Sequence, residues 1–216
     1  MSFEINDVAV YPGKGVGRIT DITEKDVDGK MYTVYVMKFP AEAEAASDIT
    51  SILEVPLTSS TTRKIRKIMP AESLDEVFTI LRHNVTPNTQ TWNRRYREYL
   101  MKIATGDPLE VAHVLRDLAL LKARKNLSFG ERKTYDQALS LIIEEAAHSL
   151  YAENQKQAEQ LQSLQHFKND VTESIAAVFR PIEEAARAEQ EEKASGKKSG
   201  KKKAAKVAEV DSTDTE

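Results

Sequence analysis

Cysteine is absent from the chain. Disulfides and thiolate metal sites are thereby excluded, and an intracellular location is expected. No apolar run approaches the roughly 20 residues a membrane-crossing helix needs, so no membrane contact is expected. The first residues, Met1-Ser2-Phe3-Glu4-Ile5-Asn6-Asp7, have neither a basic start nor an apolar stretch and do not read as a signal peptide. Aromatic residues are sparse at 6%, with one tryptophan. A large charge excess is missing too: 31 Lys and Arg face 34 Asp and Glu, a net of −3. A protein coated in positive charge is therefore excluded.

Catalytic constellations are also missing. His83, His113, His148 and His166 are scattered, and none pairs with another at metal-ligand spacing. Gly13-Lys14-Gly15-Val16-Gly17 superficially resembles a phosphate loop. It lacks the Lys-Ser/Thr ending of a P-loop and the spacing of a dinucleotide fingerprint, and it precedes a strand pattern. A tight β-turn is the better reading. No nucleophile elbow or zinc signature occurs. No catalytic residue, metal ligand or cofactor is assigned, and the chain is not expected to be an enzyme.

What is present is a 216-residue chain with 40% hydrophobic and 30% charged residues, enough for one or two modest domains. Charge is unevenly spread. Residues 1–62 carry 5 Lys/Arg against 10 Asp/Glu, and residues 63–147 carry 15 against 11. Residues 148–192 carry 4 against 9, and residues 193–216 carry 7 against 4. Any nucleic-acid contact is expected in the middle segment, with help from the tail.

Val8–Tyr11, Gly17–Ile22, Tyr32–Phe39 and Ile52–Val55 are β-branched, aromatic or alternating, which predicts strands. Turns fall at Gly13–Gly15 and Asp26–Gly29, where Asp28-Gly29 is a hairpin signal. Such spacing predicts a small bent sheet or barrel. Glu42–Asp48 reads as a surface loop and Thr58–Thr62 as a linker. The apolar period then changes from two to about 3.6. Leu74, Val77, Phe78 and Leu81 give one helix, and Pro87-Asn88 ends that region. A second helix is predicted from about Thr91 to Ala104, and a third is capped by Asp107 with Pro108 at its first position. Ser128 caps a fourth, with Glu131 completing a capping box. Residues 148–190 are helical but polar, with a broken apolar stripe and an expected kink or stop at Pro181. From Lys193 onward, Lys, Gly, Ser and Ala dominate and predict disorder. The expected fold class is α+β in two domains: a β-domain over 1–60 and a helical domain over 61–150. A polar helical extension over 151–190 and a disordered Lys-rich tail over 191–216 follow.

The densest chemistry begins at the lone tryptophan: Trp92-Asn93-Arg94-Arg95-Tyr96-Arg97-Glu98-Tyr99. In helical register Trp92, Arg95, Tyr96 and Tyr99 share one broad face, and Arg94 and Arg97 lie on another. Two readings fit. The aromatics pack on neighbouring helices while the arginines are solvated. Alternatively Arg94, Arg95 and Arg97 neutralise phosphates while Trp92 reaches a base step. Arg132 and Lys133 add phosphate contacts in the second reading and are ordinary surface charges in the first.

These residues, in order and spacing, resemble the CarD/CdnL family of bacterial RNA polymerase-binding transcription regulators. The resemblance covers residues 3 to about 147. It is carried by Val10-Tyr11-Pro12 with Gly15-Val16-Gly17, by Trp92 to Arg97, by Thr105-Gly106-Asp107, by Val111 to Leu118, and by Leu127-Ser128-Phe129-Gly130-Glu131. It implies a small Tudor-like β-barrel domain that docks on the RNA polymerase β subunit by pairing sheet edges. It also implies a compact helical domain that contacts promoter DNA at the upstream edge of the melted bubble. Trp92 would wedge into the minor groove, Arg94, Arg97 and Arg132 would touch the backbone, and the open promoter complex would be stabilised. The docking strand corresponds to Ile52-Leu53-Glu54-Val55-Pro56, with Lys25 at another docking position. Glu54 departs from the family, standing where a basic residue can help docking, and Glu42–Asp48 lengthens the preceding loop. The protein is expected to be a monomer in the cytoplasm, associated with the nucleoid. Two rivals stand beside it: a polymerase- or repair-associated adaptor that does not touch DNA, and a nucleoid-type binder driven by the Lys-rich tail. The tail itself reads as a source of nonspecific DNA attraction or as a solubilising segment.

Overall fold

A computed structural model describes residues 3–27, 29–40, 51–56, 65–85, 90–157 and 162–210. Asp28, the acidic loop Glu42–Asp48, the Thr58–Thr62 linker, the Pro87-Asn88 break and Leu161 lie outside the described residues.

Four strands, β1 (Val8–Tyr11), β2 (Gly15–Val27), β3 (Lys30–Phe39) and β4 (Ser51–Pro56), form an antiparallel meander in chain order. A register shift between Ile19 and Asp21 marks a bulge that bends β2, and the sheet curls into a half-barrel. Its inner face buries Phe3, Ala9, Ile19, Tyr35, Met37 and Val55 as one apolar core. β2 runs five residues beyond the predicted Ile22. Glu24, Lys25 and Asp26 carry no apolar pattern, yet the outer positions of a ladder accept charges, so pairing with β3 continues through them.

Among the described residues five α-helices follow: α1 (Leu74–Arg82), α2 (Trp92–Thr105), α3 (Pro108–Arg124), α4 (Phe129–Gln157) and α5 (Leu164–Val210). The architecture is the expected α+β one, a Tudor-like β-domain and then a helical domain. Gly106, at φ 72°, ends α2 in the left-handed conformation that glycine adopts without strain. Asp107 caps α3 by accepting from the Leu109 N–H at 2.9 Å, with Pro108 in the first turn. Ser128 and Glu131 form the expected capping box of α4. The Ser128 N–H donates to Glu131 Oε2 at 2.9 Å, and the Glu131 N–H donates to Ser128 Oγ at 3.4 Å.

The C-terminal third differs from expectation. α5 is no peripheral extension: Phe167, Val171, Ile175 and Phe179 recur every four residues and are buried, the last three joining the core formed by α1 to α4. These residues belong to the broken apolar stripe expected over 148–190, and the polar residues around it gave no sign of how deeply it is buried. Helix also continues through Pro181, so of the kink or stop expected there the stop does not occur. Pro181 is exposed and removes one backbone donor, while Phe179 and Ile182 on either side pack against the core. Helical backbone then runs to Val210, and residues 211–216 lie outside the described residues. Ala, Lys and Glu, which dominate that stretch, are strong helix formers.

The two domains meet at a polar junction. Val10 and Arg66 exchange backbone hydrogen bonds of 2.9 and 3.0 Å, so the chain leaving the sheet lies against β1. The Arg66 guanidinium donates to the Gly106 carbonyl through Nε at 2.7 Å and to Glu145 Oε2 through Nη2 at 2.7 Å. Buried Glu145 also accepts from the Met69 N–H at 3.0 Å. A Cβ on Gly106 would come within 2.8 Å of the Pro12 ring, so only glycine lets the hairpin sit this close to the end of α2.

Candidate nucleic-acid interface and sheet edge

α2 divides the Trp92 cluster into two kinds of residue. Tyr99 and Arg95 are buried, whereas Arg94, Tyr96 and Arg97 are exposed. Trp92 is half-buried and packs against the helical core. The packing reading holds for Tyr99, while exposed Arg94 and Arg97 are common to both readings. Tyr99 is core, Trp92 straddles the boundary, and Arg94 and Arg97 are free to face a polyanion. Arg94 has a loose i,i+4 pair with Glu98 at 3.7 Å, which a phosphate can displace at little cost because both side chains are solvated.

Arg95 does not belong with them. The residue is 7% exposed, and its guanidinium donates from Nη2 to Glu131 Oε1 at 2.8 Å. A buried arginine in a charge-assisted bond cannot also reach a phosphate, so Arg95 is corrected to a structural residue. Its work is to carry Trp92: the guanidinium carbon lies 5.7 Å from the indole centre. Tyr96 tilts against the same ring with centroids 5.2 Å apart. On another side Gly130 approaches so closely that a Cβ there would lie 3.2 Å from Trp92 Cζ2.

Glu131 is the centre of this corner. It is 2% exposed and accepts from Arg95, from the Ser128 N–H and from Lys125 Nζ at 3.1 Å. Burial opposes its ionisation. The Ser128 N–H, Lys125 and Arg95 outweigh burial and hold the carboxyl at about 2, against an ordinary 4.5. A permanent carboxylate thus locks the start of α4 to the side of α2. Arg132 and Lys133 follow it on the exposed side of α4.

Sequence reading did not assign Glu131 beyond its cap, nor Phe129, which is 85% exposed at the first position of α4. The capping box was the visible signal for Glu131, but its partner lies 36 residues away. For Phe129 the signal was a large apolar side chain inside a cap sequence, where no core face passes.

On the β-domain, β4 is an edge strand bonded only to β3 among the described residues. The other edge, β1, is met by Arg66. Ile52, at 65% exposure, and Glu54 and Pro56 are exposed, whereas Val55 is buried and Leu53 packs on the sheet core. Val55 and Leu53 therefore support the strand from behind; what β4 offers a partner is main chain and the Ile52–Glu54–Pro56 side. Lys25 and Glu54 form an exposed ion pair at 2.5 Å. The departure at Glu54 thus occupies the very lysine expected to assist docking.

Residues 3–69 match the family described as the CarD-like/TRCF RID domain, and residues 76–162 match the CarD C-terminal domain. Bacillus subtilis (strain 168) has a relative named "Putative transcription factor YdeB", 31% identical over 143 residues. That alignment covers 66% of this chain and 89% of the relative. The chain belongs to the CarD-like family. Membership makes it a transcription-associated regulator of the RNA polymerase-interacting kind rather than an enzyme type. In CarD-like terms the half-barrel is the RID module and α1 to α4 form the C-terminal module; α5 begins beyond both matches. Among the described residues no helix is long and apolar enough to cross a membrane.

Proposed function

We propose that this CarD-like protein bridges the RNA polymerase β subunit and promoter DNA at the upstream edge of the melted bubble, and that the bridge stabilises the open complex. The half-buried indole of Trp92 carries this reading. It is clamped between α2 and α4 and flanked by exposed Arg94 and Arg97 on one helix and Arg132 on the other. A wedge must be held rigidly to unstack a base step, and this one is backed by a buried ion pair. Favouring the melted state needs only a differential affinity for it. The junction through Arg66, Gly106 and Glu145 supports a bridge, since its hydrogen bonds tie the chain leaving the sheet to α2 and α4.

Docking through the β4 edge would draw its affinity from main-chain pairing, which demands little of side chains. That suits an acidic β-domain whose Lys25 is already engaged by Glu54. Ile52→Asp is expected to reduce polymerase binding by about tenfold, since it places a charge on the exposed side of the pairing edge. Unchanged binding in a quantitative pull-down would move the docking site elsewhere on the half-barrel. Protein stability should hardly change, because Ile52 is outside the core.

On the DNA side, Arg94→Ala and Arg97→Ala should each lower the slope of log K against log salt by about 1, the signature of one lost phosphate contact. Arg95→Ala should instead lower stability. A titration of upstream fork DNA at several salt concentrations separates them. Unaltered slopes for both exposed arginines would remove them from the interface.

A further inference from the structure

We infer that Phe129 is a second aromatic contact of the DNA site, stacking on a base unpaired at the edge of the melted region beside the step held by Trp92. The inference rests on the proposed DNA reading and adds to it a residue and a ligand state. Phe129 has the highest exposure of any large apolar side chain among the described residues, at 85%. It does not sit on a loose loop. The Ser128–Glu131 box fixes the turn that carries it, and Arg95 ties that turn to α2. The next residue, Gly130, lies against the Trp92 indole, so the two rings share one rigid corner. A solvated phenyl ring on a rigid mount is ready to cover an apolar surface without paying for ordering.

Charge selects the occupant. Arg132 and Lys133 are exposed just after the ring, and Arg94 and Arg97 are exposed on α2. The one carboxylate of that turn, Glu131, is buried and neutralised by Arg95 and Lys125. A bare aromatic ring among cations meets the two faces of single-stranded DNA, phosphate outside and base plane inside. Duplex DNA offers the cations their phosphates but leaves the ring no free base. Phe129 therefore distinguishes melted from paired DNA, which a phosphate contact alone does not.

The test uses the full-length protein in open complexes with its RNA polymerase, on promoters carrying 2-aminopurine at successive positions of the upstream bubble edge. Phe129→Ala, Phe129→Tyr and Trp92→Ala are compared with wild type. At one of these positions Phe129→Ala is expected to raise 2-aminopurine fluorescence and shorten open-complex lifetime about 5- to 10-fold. Phe129→Tyr should restore both, and the melting temperature of the two Phe129 variants should stay unchanged. If Trp92→Ala shortens the lifetime while Phe129→Ala behaves as wild type, the inference is overturned and the wedge stands. If wild type itself does not lengthen the lifetime, the DNA reading fails and this inference with it. Loss of polymerase binding by Phe129→Ala would assign the ring to a protein contact and equally overturn it.

Discussion

Glu131→Ala is expected to be the most destabilising single substitution in the helical domain. It strands the buried Arg95 guanidinium without its carboxylate and removes one half of the α4 cap. Removing one partner of a buried pair costs about 3–5 kcal/mol, much of it the penalty of the charge left behind. For a chain of this size that corresponds to a fall in Tm of roughly 10 °C or more. The same carboxylate makes stability pH-dependent in a definite sense. Its folded-state pKa of about 2 lies below the ordinary 4.5. Its contribution is therefore complete above pH 4.5 and is lost as pH falls from 4.5 toward 2. The size is on the order of 3 kcal/mol. Thermal unfolding of wild type and Glu131→Gln across that window should show the wild type losing stability more steeply. Parallel curves, or a Glu131→Ala melting temperature within 3 °C of wild type, would mean that the corner is held by packing instead.

Trp92→Ala has the second large expected effect, and it is functional. Aromatic contacts with bases contribute about 1–3 kcal/mol each, so loss of the indole should shorten open-complex lifetime by roughly tenfold. Polymerase binding should be nearly intact, because β4 lies on the other domain. Some stability should be lost as well, since the ring packs on the helical core and supports Tyr96 and Gly130. That loss should fall well short of the Glu131→Ala loss, because no charge is left buried. The contrast separates the wedge from its mount: Glu131→Ala should damage fold and function together, Trp92→Ala chiefly function.

Much of this was legible in the residues. Alternation and turn signals located the four strands, and Asp107-Pro108 and Ser128–Glu131 announced two helix starts that hydrogen bonds bear out. Trp92 with Arg94 and Arg97 could be singled out because aromatic and cationic residues rarely crowd one helix without a reason. Arg95 could not be separated from them. Its burial depends on Glu131, and no local pattern links residues so far apart in sequence. The reach of β2 beyond Ile22 was hidden for the opposite reason: charged outer positions of a ladder look like loop. The four-residue stripe from Phe167 to Phe179 was present throughout, yet its polar surroundings made α5 read as an extension rather than a core helix.

The Trp92 wedge is tested most directly by the lifetime of a promoter open complex formed by the cognate RNA polymerase, challenged with competitor, with wild-type protein, with Trp92→Ala and with none. Wild type should lengthen the lifetime, and Trp92→Ala should bring it most of the way back to the value without protein while still binding polymerase. Equal lifetimes with wild type and Trp92→Ala would contradict the wedge. No lengthening by either, with polymerase bound, would instead favour an adaptor that leaves DNA alone.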